Sequence, residues 1–194
     1  MLQKSLKVVV TSIILMMVFS CGTVKKAIYS LPDFPPSTLS EIIILPPVDL
    51  RVDKKINVNL ERQIRKASER AIVKKGYNVT TSEDFGADNQ ILEEDLKTSN
   101  SDWIKQLGPT NSRYVMVLCL VDVVSKLTFG STANAEVAGY LYDKESGNII
   151  WRDKGVGKTG QGGLIGMATK GLMDEDAIAL ALNNLLASIP KKPK

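Results

Sequence analysis

Gly155-Val156-Gly157-Lys158-Thr159-Gly160-Gln161-Gly162-Gly163, the string GVGKTGQGG, admits two folds. As a phosphate-binding loop it joins a parallel strand to a helix and makes the chain a nucleotide-using enzyme. As the second arm of a hairpin it belongs to a mixed sheet and binds no nucleotide. The loop reading needs Gly-x-x-x-x-Gly-Lys-Ser/Thr, whose first glycine starts the turn that wraps backbone N–H groups around the phosphates. Counting back from Gly157-Lys158-Thr159, that position is Arg152. No acidic motif for magnesium stands out, and Thr159 is not followed at once by a helical pattern. The hairpin reading is preferred, with glycines that let a strand narrow, twist and exit toward the last helix.

The residues just upstream agree. Ser131 to Asp143 alternates, with Ala133, Ala135, Val137, Gly139 and Leu141 on one side and Thr132, Asn134, Glu136, Ala138, Tyr140 and Tyr142 on the other. Lys144-Glu145-Ser146-Gly147-Asn148 is a turn, and Ile149-Ile150-Trp151-Arg152 starts the return, so residues 131–158 are predicted to form a β-hairpin. Arg113 to Leu127 is the central strand. Its first half is apolar on both faces, as a strand covered on both sides requires, and it becomes mixed at Asp122, Ser125 and Lys126. Cys119, inside the apolar run, reads as a small core residue.

Downstream, Asp174 to Ser188 has a helical pattern with Asp174, Glu175 and Asp176 at its positive N-terminal end and Ile178, Leu182, Leu185 and Ile189 on the core side. The segment Gly162 to Met173 between strand and helix is apolar but glycine-rich. Each glycine costs about 1 kcal/mol relative to alanine inside a helix. Its methionines and small residues suit an adaptable contact, so Leu164, Ile165, Met167, Leu172 and Met173 are candidate partner contacts. The alternative is that the segment packs over the domain's own sheet.

In the first half of the chain, Glu41-Ile42-Ile43-Ile44-Leu45 is a buried strand stopped by Pro46-Pro47. Asn57 to Lys75 is a helix with Leu60, Ile64, Ala67, Ala71 and Ile72 along one face, ended by Gly76. Tyr77 to Thr80 is a second short strand. Thr81 to Leu107 is helical in pieces: Thr81 and Asp84 have capping-box spacing, and Gln90–Lys97 and Ser101–Leu107 are short helical stretches. Glu93-Glu94-Asp95 point in different directions around a helix and are expected to be solvated. The predicted order is β-α-β-α-β-β-β-α, a single-domain α/β sandwich with a mixed sheet over residues 41–189, followed by a loose polar tail over 190–194.

The N-terminus has a different character. Lys4 and Lys7 precede an uncharged, mostly apolar stretch from Val8 to Phe19. That stretch is too short to span a bilayer, which takes about 20 apolar residues, and it suits a signal peptide over 1–20. Val18-Phe19-Ser20-Cys21 then places a small residue before a cysteine. This resembles a bacterial lipobox, which implies that Cys21 becomes the acylated first residue of the mature protein. The Gly22 that follows, in place of Asp, implies sorting to the outer membrane. Residues 21–40, with Pro32, Pro35 and Pro36, read as a lipidated tether.

Charge and composition remove several function classes. The chain carries a formal net charge of +4, two units of which leave with the signal peptide, and its bases are interleaved with acids. That is too weak a field to argue for nucleic acid. Histidine is absent, which removes the commonest general base and the commonest metal ligand, so no metal or cofactor is expected. No serine or carboxylate sits in a recognisable activating arrangement, so no catalytic residue is assigned.

Several stretches together carry a resemblance. These are Ile42-Ile43-Ile44-Leu45-Pro46-Pro47, Arg113-Tyr114-Val115-Met116, the Asp-x-x-Ser-Gly-x-x-x-Trp pattern of Asp143 to Trp151, and Gln161-Gly162-Gly163-Leu164-Ile165-Gly166. In this order after a lipobox, the chain resembles envelope lipoproteins grouped with the curli secretion channel subunit, the lipoprotein activators of penicillin-binding proteins and the TolB amino-terminal domain. It is most similar to a Gram-negative surface lipoprotein family of unassigned activity. The resemblance implies a non-enzymatic, periplasm-facing protein that binds envelope partners or self-associates. Two other readings stand beside it: a subunit of an oligomeric export or pore assembly, and a hydrolase.

Overall fold

The computed structural model describes residues 25–51, 58–86, 93–97, 102–128, 130–162 and 170–193. A mixed sheet runs through it. Its strands are β1 (Tyr29–Ser30), β2 (Glu41–Ile44), β3 (Val48–Asp49), β4 (Asn78–Thr81), β5 (Tyr114–Thr128), β6 (Gly130–Asp143) and β7 (Asn148–Gly162). The helices are α1 (Val58–Val73), α2 (Glu93–Lys97), α3 (Asp102–Gln106) and α4 (Lys170–Leu186). The strand order is β1-β7-β6-β5-β2-β4, with β3 also paired to β5. β2 lies parallel to β4 and β5, while β5, β6, β7 and β1 are antiparallel neighbours. The expected α/β sandwich with a mixed sheet is what forms.

Alternation along the strands divides the core into two layers. On one face Met116, Leu118, Ala133, Ala135, Val137, Leu141 and Trp151 meet Ile64 and Ile72 of α1 and Ala177, Ala181, Leu182 and Leu185 of α4. On the other, Val115, Val117, Cys119, Ala138, Tyr140 and Tyr142 meet Leu96 of α2, Ile104 of α3 and Leu107. Cys119 is a fully buried thiol, as its apolar run predicts. At full burial, each large aliphatic side chain contributes about 1.5–3 kcal/mol of transfer free energy, so the layers on either side of β5 dominate stability. A bulge between Leu120 and Asp122 sends β5 out of this double cover, where the sequence turns mixed.

Several expectations change. The segment read as a free tether is partly folded onto the domain. β1 pairs β7 through Tyr29–Arg152 and Ser30–Trp151, Leu39 is 1% exposed, and Ala27, Leu31 and Phe34 pack on the main core. The tail is docked as well: the Lys192 N–H donates to the Lys75 carbonyl at 2.8 Å, and the Tyr77 hydroxyl donates to that of Pro190 at 3.2 Å. Helix α4 begins at Lys170, so Asp174, Glu175 and Asp176 fall past its first turn, which holds no acid. Thr81 ends β4 and caps no helix; the neighbouring Ser82 hydroxyl accepts the Asp84 N–H instead. Helix α1 ends as expected, with Gly76 at φ +93°, a conformation that favours glycine.

Candidate functional site

The glycine string is strand. Gly155 to Gly162 belong to β7, in register with Gly130 to Val137 of β6, with Lys158 opposite Asn134. The backbone therefore runs in a ladder and does not curl into a phosphate cradle. The glycines have a packing role. A Cβ on Gly155 would lie 2.0 Å from the Ala181 carbonyl oxygen, and one on Gly157 would lie 2.0 Å from that of Ala177. Helix α4 rests its backbone directly on the strand at these two points, with Ala177 and Ala181 one helical turn apart. Thr159 Oγ1 fastens the helix start by donating to the Met173 carbonyl at 3.0 Å. The glycine spacing on β7 matches the alanine spacing on α4.

The Asp143–Trp151 pattern is likewise structural. Arg113 Nε and Nη2 both donate to the Asp143 carboxylate at 3.0 Å, which also accepts the Glu145 N–H at 3.1 Å. Gly147 closes the turn at φ +70°, its N–H donating to the Asp143 carbonyl at 2.9 Å. Trp151 is fully buried, and its indole N–H donates to Ser188 Oγ at 3.3 Å. Tyr142 donates to the Leu96 carbonyl at 2.7 Å, and burial raises its pKa. These polar groups serve the hairpin and the core.

The residues singled out from sequence are distributed differently. Cys21, Leu164, Ile165 and Met167 lie outside the described residues. Leu172 is in α4, with its side chain also outside them. Met173 is 5% exposed and sits in the main core cluster, so burial against the protein's own sheet takes it out of any exposed contact.

Two features were not legible from sequence. The first is a clasp on the N-terminal segment. Lys25 Nζ pairs with Asp153 Oδ2 at 2.7 Å and donates to the carbonyls of Lys154 at 2.7 Å and Asn184 at 3.0 Å. The Asp153 side chain is only 2% exposed, so this lysine answers a buried carboxylate. The second is a groove of about 560 Å³ between α1 and α4, where Arg70, Lys74, Lys75 and Lys191 surround a floor of Ala71, Leu186 and Ala187. Among the described residues no carboxylate lines it. Burial, with help from Lys191, lowers the Lys75 pKa. Lys75 Nζ also donates to the carbonyls of Ala187 and Ile189, satisfying groups that the end of α4 leaves free.

A second groove, of about 590 Å³, lies beside α1 and β4 and mixes signs. Arg65 bonds Glu83 at 2.7 Å and Glu61 at 3.1 Å within it, so its charge is already answered. Those bonds hold Arg65 above and Glu83 below their ordinary pKa values. Among the described residues no three histidine, cysteine or carboxylate groups could hold a metal ion, and no helix is long and apolar enough to cross a membrane.

No protein-family model matches the chain, and no curated protein matches it. Solved structures do. A PelC dodecamer from Paraburkholderia phytofirmans is 11% identical, with 79% of this chain and 89% of that one covered at a TM-score of 0.45. Lipoprotein GNA1162 from Neisseria meningitidis is 16% identical over 70% of this chain and 96% of that one, at 0.46. Protein XCC0632 from Xanthomonas campestris is 11% identical over 85% and 90%, at 0.48. These likenesses describe those proteins and say nothing of what this chain binds.

Proposed function

We propose that this chain is a lipoprotein anchored through Cys21 in the outer membrane, facing the periplasm, that acts without catalysis as an adaptor or assembly factor for another envelope protein. The observation that carries the reading is the N-terminal sequence. A basic start, an apolar stretch and Val18-Phe19-Ser20-Cys21 stand immediately before the point where the chain joins the domain at Lys25. Acyl chains on Cys21 would hold the protein at a bilayer, each buried methylene contributing about 0.8 kcal/mol.

The basic α1–α4 groove is the surface best suited to the partner. Four cations, with no lining acid among the described residues, are set around short apolar side chains and complement an acidic segment. Replacing Arg70 and Lys74 by Glu in the full chain reverses the sign of the groove mouth at two exposed positions. Cross-linking in intact cells is expected to capture a partner with the native chain and to lose it with this variant at unchanged membrane association. Equal capture by both would remove the groove from the proposal. Sedimentation of the detergent-extracted protein is expected to show a monomer; a large ring would favour the export-assembly reading.

A further inference from the structure

We infer that the outer edge of β7 is the side of the domain that lies against the bilayer, an inference that rests on acylation of Cys21. The argument starts from reach. Cys21 stands four residues before Lys25, and a fully extended chain of that length spans at most about 14 Å. Lys25 is fastened to Asp153, to the Lys154 carbonyl and to the Asn184 carbonyl. A lipid on Cys21 therefore keeps the membrane within that reach of the flank where β7 and the end of α4 meet.

That flank is built for such a neighbour. Among the described residues β1 pairs β7 only at Trp151 and Arg152, so the edge beyond Asp153 carries no further strand. Side chains cover part of it: Asn184 Nδ2 donates to the Val156 carbonyl at 2.8 Å. Around it stand Val156, 59% exposed, Ile28, 62% exposed, and Tyr29, whose ring lies under the Arg152 guanidinium at 5.5 Å. Leu180, also exposed, sits one helical turn before Asn184 on the same side of α4. Scattered exposed apolar residues are ordinary. Here they gather along one edge. Lys158 flanks Val156 on the same strand face, as does Lys154, whose Nζ is bonded to Glu136 at 2.6 Å, and Lys26 is exposed beside the clasp. Apolar tips among lysines suit the headgroup region of an anionic bilayer.

The test uses the full acylated chain in vesicles of phosphatidylethanolamine and phosphatidylglycerol. A fluorophore is placed at Val156→Cys or, as the control, at Thr81→Cys, an exposed position on β4 at the opposite edge of the sheet. Spin-labelled lipids are expected to quench the Val156 label several-fold more than the Thr81 label. Inserting about twenty Gly and Ser residues after Gly22 is expected to reduce that difference, because the flexible linker removes the limit on reach. Equal quenching at both sites on protein that floats with the vesicles overturns this orientation and leaves the lipoprotein reading intact. So does a disulfide between two Val156→Cys copies with no quenching, which would show a second copy on the edge. Protein that carries no acyl group and does not float overturns both.

Discussion

At the scale of single residues, Gly155 and Gly157 show how a motif can be misread. Their spacing invites comparison with a phosphate loop, yet what requires glycine is a carbonyl of α4 at 2.0 Å from each missing Cβ. Backbone cannot step aside as a side chain can, so alanine at either position forces α4 off the sheet. Gly155→Ala and Gly157→Ala are each expected to destabilise by about 1–3 kcal/mol or more, in the range of overpacked cores. Gly139→Ala provides the contrast. Its nearest neighbours are the Leu185 Cδ2 at 3.0 Å and the Trp151 ring at 3.2 Å, side-chain atoms that can give. Urea unfolding of the three variants should rank Gly139→Ala mildest; equal losses would mean that close helix–strand contact is not what the glycines provide. Arg152 at the first motif position was the legible warning. The identity of the contacting carbonyls was not legible, since it depends on which helix returns to β7.

At the scale of elements, the long strands and α1 could be read because each carries its own period over many residues. The faces of β6 divide between the two core layers as its alternation predicts, and Ile64 and Ile72 of α1 are buried. The two-residue strands β1 and β3 carry no period, and only the pairing partner defines them. Prolines made residues 21–40 look like tether throughout, and the chain after Lys25 belongs to the fold instead. The start of α4 was misplaced for a related reason: an acidic triplet resembles a helix N-terminus, and here it follows a first turn already in place.

The clasp is the element-scale feature with the largest expected consequence. Lys25→Ala leaves the nearly buried Asp153 carboxylate without its cation, at a cost of about 1–3 kcal/mol. Asp153→Asn together with Lys25→Ala should recover part of that loss, because the amide carries no charge to bury. Thermal melts of the single and double variants decide. A single variant as stable as the native chain would show the contact to be incidental.

At the scale of the whole molecule, burial of tyrosines couples stability to alkaline pH. Desolvation raises the pKa of Tyr77 to about 12 from 10.0 and raises that of Tyr142 in the same direction. The unfolded chain ionises first as pH rises, and the folded one resists. The contribution is therefore fully present below pH 10 and is lost as pH climbs from about 10 to about 12. Melting temperature should fall across that window, and Tyr77→Phe should flatten part of the slope while losing the bond to the Pro190 carbonyl. A slope unchanged by Tyr77→Phe would show that this phenol does not drive it.

In the proposed arrangement a two-layer α/β domain lies close against a membrane. A basic groove between α1 and α4 then offers a partner surface, while the glycine string and the Asp143 turn are spent on holding the fold together. The membrane placement depends on the cysteine that precedes the described residues. The most direct measurement is fatty-acid labelling of the full chain in growing bacteria, with detergent-phase partitioning of the product, for the native sequence and for Cys21→Ser. The account predicts a shortened, acyl-labelled protein in the detergent phase for the native chain, and an unlabelled protein outside that phase for Cys21→Ser. Equal labelling and equal partitioning of the two would contradict it.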